Sequence, residues 1–117
     1  MAGYRDLEVW RQAHGLVLEI YGHTKRFPKD ELFGLTSQIR RSAFSVSANI
    51  AEGNGRAGRN EYIHFLTIAR GSLNETGYFV TLARDLGYLS AQEADSIDAK
   101  VGTAGRLLAG LIRSLKK

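Results

Sequence analysis

The sequence contains no cysteine, one proline, one methionine and one tryptophan among 117 residues. Without cysteine there is no disulfide framework, no thiolate nucleophile and no cysteine zinc site. The single proline, 44% hydrophobic residues and a mean hydropathy of -0.21 do not suit a linker-rich or disordered chain, which lacks the apolar area that offsets ordering entropy. Long apolar runs are missing too. The longest stretch without a charge, Ser42 to Ala51, is about half of the roughly 20 residues that cross a bilayer. The opening Met1-Ala2-Gly3-Tyr4-Arg5-Asp6 has neither a signal-peptide apolar core nor a myristoylation glycine at position 2, so a cytoplasmic protein with no membrane partner is expected. The chain suffices for one packed domain over 1–117 and is too short for two cores.

Four segments carry apolar residues at helical spacing. Leu7, Trp10, His14, Val17, Leu18 and Tyr21 share a face between Asp6 and Thr24, predicting helix one. Pro28 disfavours helical geometry at Phe27, and Lys29 or Asp30 opens helix two, with Leu32, Leu35, Ile39, Ala43, Val46 and Ile50 on one face up to about Ala51. After a glycine-rich break, helix three runs from about Arg59 to Leu86, burying Tyr62, Phe65, Leu66, Ala69, Leu73, Thr76, Val80 and Ala83, with Gly87 placed just past its end. Ser90 and Glu93 form a capping box for helix four, whose face is Ala94, Ile97, Val101, Ala104, Leu108, Leu111 and Leu115. No alternating strand pattern competes, and the short connections predict an all-α, antiparallel up-down-up-down four-helix bundle. Gly71, Gly77, Gly102, Gly105 and Gly110 each weaken a helix by about 0.5–1 kcal/mol relative to alanine and are read as sites of close helix packing.

The candidate chemical motifs are thin. Gly53-Asn54-Gly55-Arg56-Ala57-Gly58 matches G-x-G-x-x-G, but a helix rather than a strand precedes it, so no dinucleotide cofactor is expected. A simple anion site, with helix-three amides and Arg56 or Arg59 facing a phosphate, fits that context better. Glu61-x-x-His64 has the spacing of a di-iron bundle ligand pair but occurs once, and His64 lies off the core face, so no metal is expected. His14 is expected to be partly buried within its apolar stripe, and His23 to be an exposed helix end. No serine or carboxylate has a base or partner at motif spacing, which leaves no catalytic residue to name. On helix two, Gln38, Arg41, Ser45, Asn49 and Glu52 form a polar stripe with Ser42, read chiefly as a structural network to other helices or subunits, with ligand binding as the lesser alternative.

Several stretches together resemble a known family. They are Asp6-Leu7-Glu8-Val9-Trp10, FPKDELFGLTSQIRRSAFSVSANIAEGNGR at 27–56, EYIHFLTIARGSLNE at 61–75, Leu86-Gly87-Tyr88-Leu89 and GRLLAGLIRSLKK at 105–117. In order and spacing the chain resembles the four-helix-bundle proteins first met in intervening sequences of bacterial large-subunit (23S) ribosomal RNA genes. The resemblance implies a small helical bundle closed into a homo-oligomer, a pentamer, and a distant link to the nucleic-acid-associated accessory protein of diversity-generating retroelements. The chain departs from the family pattern at Ser47, where proline is common, at Gly58, where serine or threonine caps helix three, and at Gly77, where a charged residue is usual.

Two surfaces follow from the helical wheels and the charge pattern. Helix three has a second apolar stripe through Ile68, Phe79, Leu82 and Leu86, and helix one has another through Val9, Ala13, Leu16 and Ile20. These are read as the oligomer interface, because a bundle helix needs only one apolar stripe. The net charge is +4, with cations in excess in residues 1–29, 53–60 and 87–117 and acids in excess in 30–52 and 61–86. An up-down-up-down course gathers Arg5, Arg56, Arg59, Arg113, Lys116 and Lys117 at one end, a field for phosphates with no base-stacking aromatic beside it. The expected function is a non-enzymatic homo-oligomer that binds RNA or DNA at this end without a cofactor. The alternative is a scaffold for protein partners without nucleic-acid binding.

Overall fold

The computed structural model describes residues 3–117. Four α-helices account for most of the chain: α1 Glu8–Thr24, α2 Leu35–Asn54, α3 Arg59–Asp85 and α4 Ala91–Lys116. Short 3-10 turns at Tyr4–Asp6 and Lys29–Glu31 precede α1 and α2, and there is no strand among the described residues. The helices pack around a ring, α1 on α2, α2 on α3, α3 on α4 and α4 on α1, inside an envelope of 43 × 24 × 20 Å. Residue numbers rise along α2 as they fall along α3, for Arg41 meets Glu75, Ser45 meets Ser72 and Gly53 meets Tyr62. The same inverse order holds between α1 and α4, where Glu19 meets Lys100 and His23 meets Glu93.

The core consists of aliphatic side chains from all four helices, among them Leu16, Ile20, Ile39, Ile50, Leu66, Ile97 and Leu108. On α3 the buried face is the expected one, Leu66, Ala69, Leu73, Thr76, Val80 and Ala83, with Tyr62 and Phe65 half-buried at its edge. On α1 the two stripes largely exchange roles, although Val17 of the expected core face is buried and Leu7 and Trp10 pack against the core. Val9, Leu16 and Ile20, read from the sequence as oligomer interface, are 5%, 0% and 1% exposed, and Ala13 is fully buried with them. Leu18 and Tyr21, read as core, face outward, and His14 is exposed with its ring stacked on Trp10 at 4.8 Å. The physical reason is chemical. Val9, Ala13, Leu16 and Ile20 have no polar atom to satisfy, whereas Trp10, His14 and Tyr21 each carry a polar tip that favours an edge position.

Local chemistry explains the helix ends. Helix two does not begin at Lys29 or Asp30, because the Glu31 carboxylate accepts the Leu35 amide at 3.1 Å and so caps a helix that starts four residues later. That leaves Leu32, an expected core residue, on the surface. Past α3, Gly87 adopts φ +82, and the Tyr88 amide donates to the Ala83 carbonyl at 2.9 Å while the Gly87 amide donates to the Arg84 carbonyl at 2.9 Å. This left-handed stop permits the short connection into α4. The Ser90–Glu93 capping box is present in both directions. Gly58 precedes α3 without a side-chain cap, and the buried Ser47, another departure from the family pattern, donates its hydroxyl to the Phe44 carbonyl at 3.2 Å.

Gly53 is helical and buried rather than part of a loop, and a Cβ there would lie 2.9 Å from Phe65 Cβ and 3.0 Å from Tyr62 Cδ1. The first glycine of the apparent phosphate motif therefore serves helix packing. Gly77 and Gly105 also face a neighbouring helix, whereas Gly71 faces open space. Opposite signs are expected for two alanine substitutions measured by thermal denaturation. Gly71→Ala should stabilise by about 0.5–1 kcal/mol through helix propensity, and Gly53→Ala should destabilise by about 1–3 kcal/mol because overpacking outweighs that gain.

Candidate interaction surfaces

The polar stripe of α2 faces α3 of the same chain. Arg41 Nη2 reaches both oxygens of Glu75 at 3.2 Å and the Gln38 side-chain oxygen at 3.1 Å. Ser45 and Ser72 hydroxyls meet at 2.9 Å, and Asn49 donates to the Ser45 carbonyl at 2.8 Å. In the buried centre the Thr76 hydroxyl donates to Ser42 Oγ at 2.9 Å. Glu52 pairs instead with Arg56, at 3.0 Å, beyond the end of its own helix.

That pairing changes the view of the α2–α3 turn. Arg56 lies between Glu52 and Glu61, 3.7 Å away, with its guanidinium over the Phe65 ring at 5.0 Å. Its charge is already compensated, and Gly55 has an ordinary right-handed φ of -81, so the turn is not a glycine cradle for phosphate. Arg59 differs, because its guanidinium donates to the Lys117 carbonyl at 3.2 Å and so brings the start of α3 beside the end of α4. Arg113 and Lys116 are exposed in the last turn of α4. Arg5 lies over the Tyr4 ring at 4.7 Å, so aromatic rings do accompany Arg5 and Arg56, contrary to the sequence expectation. Among the described residues, Arg5, Arg59, Arg113, Lys116 and Lys117 form no ion pair with a carboxylate side chain.

A charged cluster joins the C-terminal part of α1 to the start of α4. His23 is not an exposed helix end, since it is half-buried, 3.8 Å from Glu19 and 3.5 Å from Glu93, with its Nδ1 3.0 Å from the Arg26 guanidinium. Arg26 also pairs with Glu93 at 2.7 Å, and the Lys100 ammonium forms an ion pair with Glu19. The Ser90 amide and the Arg26 guanidinium hold the Glu93 carboxyl down to about 2. A depressed carboxylate contributes stability above its ordinary value of 4.5, and that stability is lost as pH falls through about 2. Denaturant midpoints should therefore fall from pH 4.5 towards pH 2 in the wild type, and Glu93→Gln should flatten that fall while lowering the midpoint at pH 7.

No sequence pattern pointed to the groove that lies between the end of α1 and the start of α2. Two adjoining cavities of about 350 and 470 Å³ share Leu32, Thr36 and Arg40. Tyr21, Leu32, Phe33 and Phe44 are exposed along it, and Phe33 is 93% exposed. Arg40 spans its middle, with its guanidinium 4.6 Å above the Tyr21 ring and its Nε donating to Thr24 at 2.8 Å. Lys25 and Lys29 border it. The signals that could have found it are the pair Leu32-Phe33 just ahead of a helix and Phe44 off the core face. Of the interface residues expected on α3, Ile68 and Leu86 are exposed, whereas Phe79 and Leu82 are half-buried against the core. Glu61 and His64 are both exposed, and no group of three metal-ligating side chains that could hold an ion occurs among the described residues.

The family model described as 23S rRNA-intervening sequence protein matches residues 5–110. The chain belongs to this family. Its fold is similar to the crystal structure of a protein of unknown function from the S23 ribosomal protein family of Bacteroides thetaiotaomicron, with 26% identity and a TM-score of 0.83. The match covers 90% of this chain and 95% of that one. No curated protein matches the chain. In this family member no described helix is long and apolar enough to cross a membrane.

Proposed function

We propose that the protein is a non-enzymatic, closed homo-oligomer of antiparallel up-down-up-down bundles, a pentamer as its family resemblance implies, that binds RNA or DNA phosphates in the cytoplasm. The inverse register of α2 against α3 and of α1 against α4 supports the antiparallel course. One observation carries the nucleic-acid assignment: Arg59 is bonded to the Lys117 carbonyl, which gathers cations from two helices at one end while Arg5, Arg113 and Lys116 lack acidic partners among the described residues. Arg56 contributes little, because Glu52 and Glu61 already neutralise it. A closed ring repeats the end once per subunit and sums a field that attracts phosphates without reading bases. The exposed apolar groove favours the alternative, a scaffold for proteins without nucleic acid.

Replacing Arg59, Arg113, Lys116 and Lys117 with Gln should leave the oligomeric mass unchanged, weaken binding to mixed-sequence RNA, and reduce its salt slope by about one for each phosphate no longer neutralised. Gel shifts across a salt series and light scattering on the same samples read both quantities. Wild-type affinity in the quadruple variant would overturn the nucleic-acid assignment, and a monomeric wild type at micromolar concentration would overturn the ring.

A further inference from the structure

Two exposed apolar surfaces lie on different sides of the bundle at the same level of its long axis. Ser42 on α2 and Thr76 on α3 are hydrogen-bonded to each other. Phe44 and Tyr78 each lie two residues beyond a member of that pair, about 200° around their helices. Each therefore points away from the α2–α3 seam, one on the α2 side and the other on the α3 side. The groove of Tyr21, Leu32, Phe33 and Phe44 forms the first surface, and exposed Tyr78 on the C-terminal half of α3 and Leu86 just past its end form the second. Hydrogen bonds from Tyr88 to Glu31 at 2.8 Å and from Arg26 to Glu93 at 2.7 Å tie the end of α1 and the start of α2 to the start of α4, so both surfaces occupy one end of the bundle.

Their charges are complementary. Lys25, Lys29 and Arg40 border the groove, and no carboxylate side chain pairs with any of them among the described residues. Asp85 adjoins Leu86, and Asp95 and Asp98 follow on α4, with Arg84 the cation among them.

We infer that a second copy of this chain seats its Tyr78–Leu86 face in the groove, head to tail, with Asp85, Asp95 and Asp98 meeting Lys25, Lys29 and Arg40. A two-fold contact would need both surfaces in one self-complementary patch, and these two face different sides of the bundle; a head-to-tail contact covers both at once and forms a ring where its rotation closes. Placement at the same level is what a ring axis parallel to the bundle requires. A nucleic acid in the groove would leave Tyr78 and Leu86 in water. Exposed aromatic side chains with charged rims are the composition of protein interfaces. The inference rests on the self-association proposed above and assigns its surfaces.

The absence of native cysteine allows a clean test. Ser37→Cys in the groove and Thr81→Cys one turn beyond Tyr78 are made as separate variants and treated with a short bis-maleimide. A cross-linked pair is expected only when the two variants are mixed. Phe33→Glu is expected to reduce the light-scattering mass to that of a single chain with an unchanged helical circular dichroism spectrum, since the ring is almost wholly exposed. Asp85→Lys should weaken assembly, and adding Lys25→Asp and Lys29→Asp should restore it. Cross-linking within either single variant, or a Phe33→Glu protein of wild-type mass, would overturn the assignment. Retained mass with lost RNA binding in Phe33→Glu would make the groove a nucleic-acid surface instead. A monomeric wild type would instead remove the self-association on which the assignment rests.

Discussion

The seam between α2 and α3 fixes where every other feature lies. Its contacts are polar as well as close: a buried hydroxyl pair at Ser42 and Thr76, a half-buried one at Ser45 and Ser72, an ion pair at Arg41 and Glu75, and the missing Cβ of Gly53 against Tyr62 and Phe65. An apolar seam tolerates sliding, because apolar contact is non-directional. Here a slip of one turn would lose the hydroxyl contacts and the Arg41–Glu75 pair and would move Gly53 away from the one place where its missing Cβ admits Tyr62 and Phe65, although Ser42 and Thr76 would keep their bonds to the Ile39 and Ser72 carbonyls of their own helices. These directional contacts favour one register, in which Phe44 and Tyr78 leave the seam at neighbouring heights.

The two ends of the bundle hold similar residue types in different electrostatic states. At one end Glu19, Glu93, Arg26, Lys100 and His23 are drawn together as ion pairs between α1 and α4, while Lys25, Lys29 and Arg40 beside the groove have no carboxylate partner among the described residues. At the other, the acids near the turn are spent on Arg56, and Arg59 is bonded to a carbonyl instead. A basic composition alone does not show which cations remain free. The pairing of Glu52 and Glu61 with one arginine leaves the others uncompensated.

Much of the fold was legible because spacing and capping chemistry agree. The Ser90–Glu93 box, Gly87 and the apolar row from Leu66 to Ala83 are each fixed by local physics, and each occurs where the sequence places it. Helix one was ambiguous because both its stripes are apolar and Val17 belongs to either, so periodicity could not choose the inner one. The absence of polar atoms on Val9, Ala13, Leu16 and Ile20 is the discriminating signal. The start of α2 depended on a side chain, Glu31, that reaches forward to cap Leu35 and is invisible to a periodicity argument. The groove was illegible for a different reason, since Tyr21, Phe33 and Phe44 come from a helix, a turn and another helix, and only packing makes them neighbours.

Helix α2 carries three faces with separate duties. One buries Ile39, Ala43, Val46 and Ile50, one presents Arg41, Ser42 and Ser45 to α3, and one leaves Phe44 outside. Because the α3-facing side is committed to polar contacts, Phe44, the one aromatic residue of α2, is not accommodated there. Nor does it lie on the core face, where small residues such as Ala43 keep the helices close. In a bundle only 20–24 Å across, the remaining position is the outer rim. The polar seam and the exposure of Phe44 are thus two consequences of one allocation of side chains along α2, and Tyr21 and Phe33 from outside that helix complete the groove.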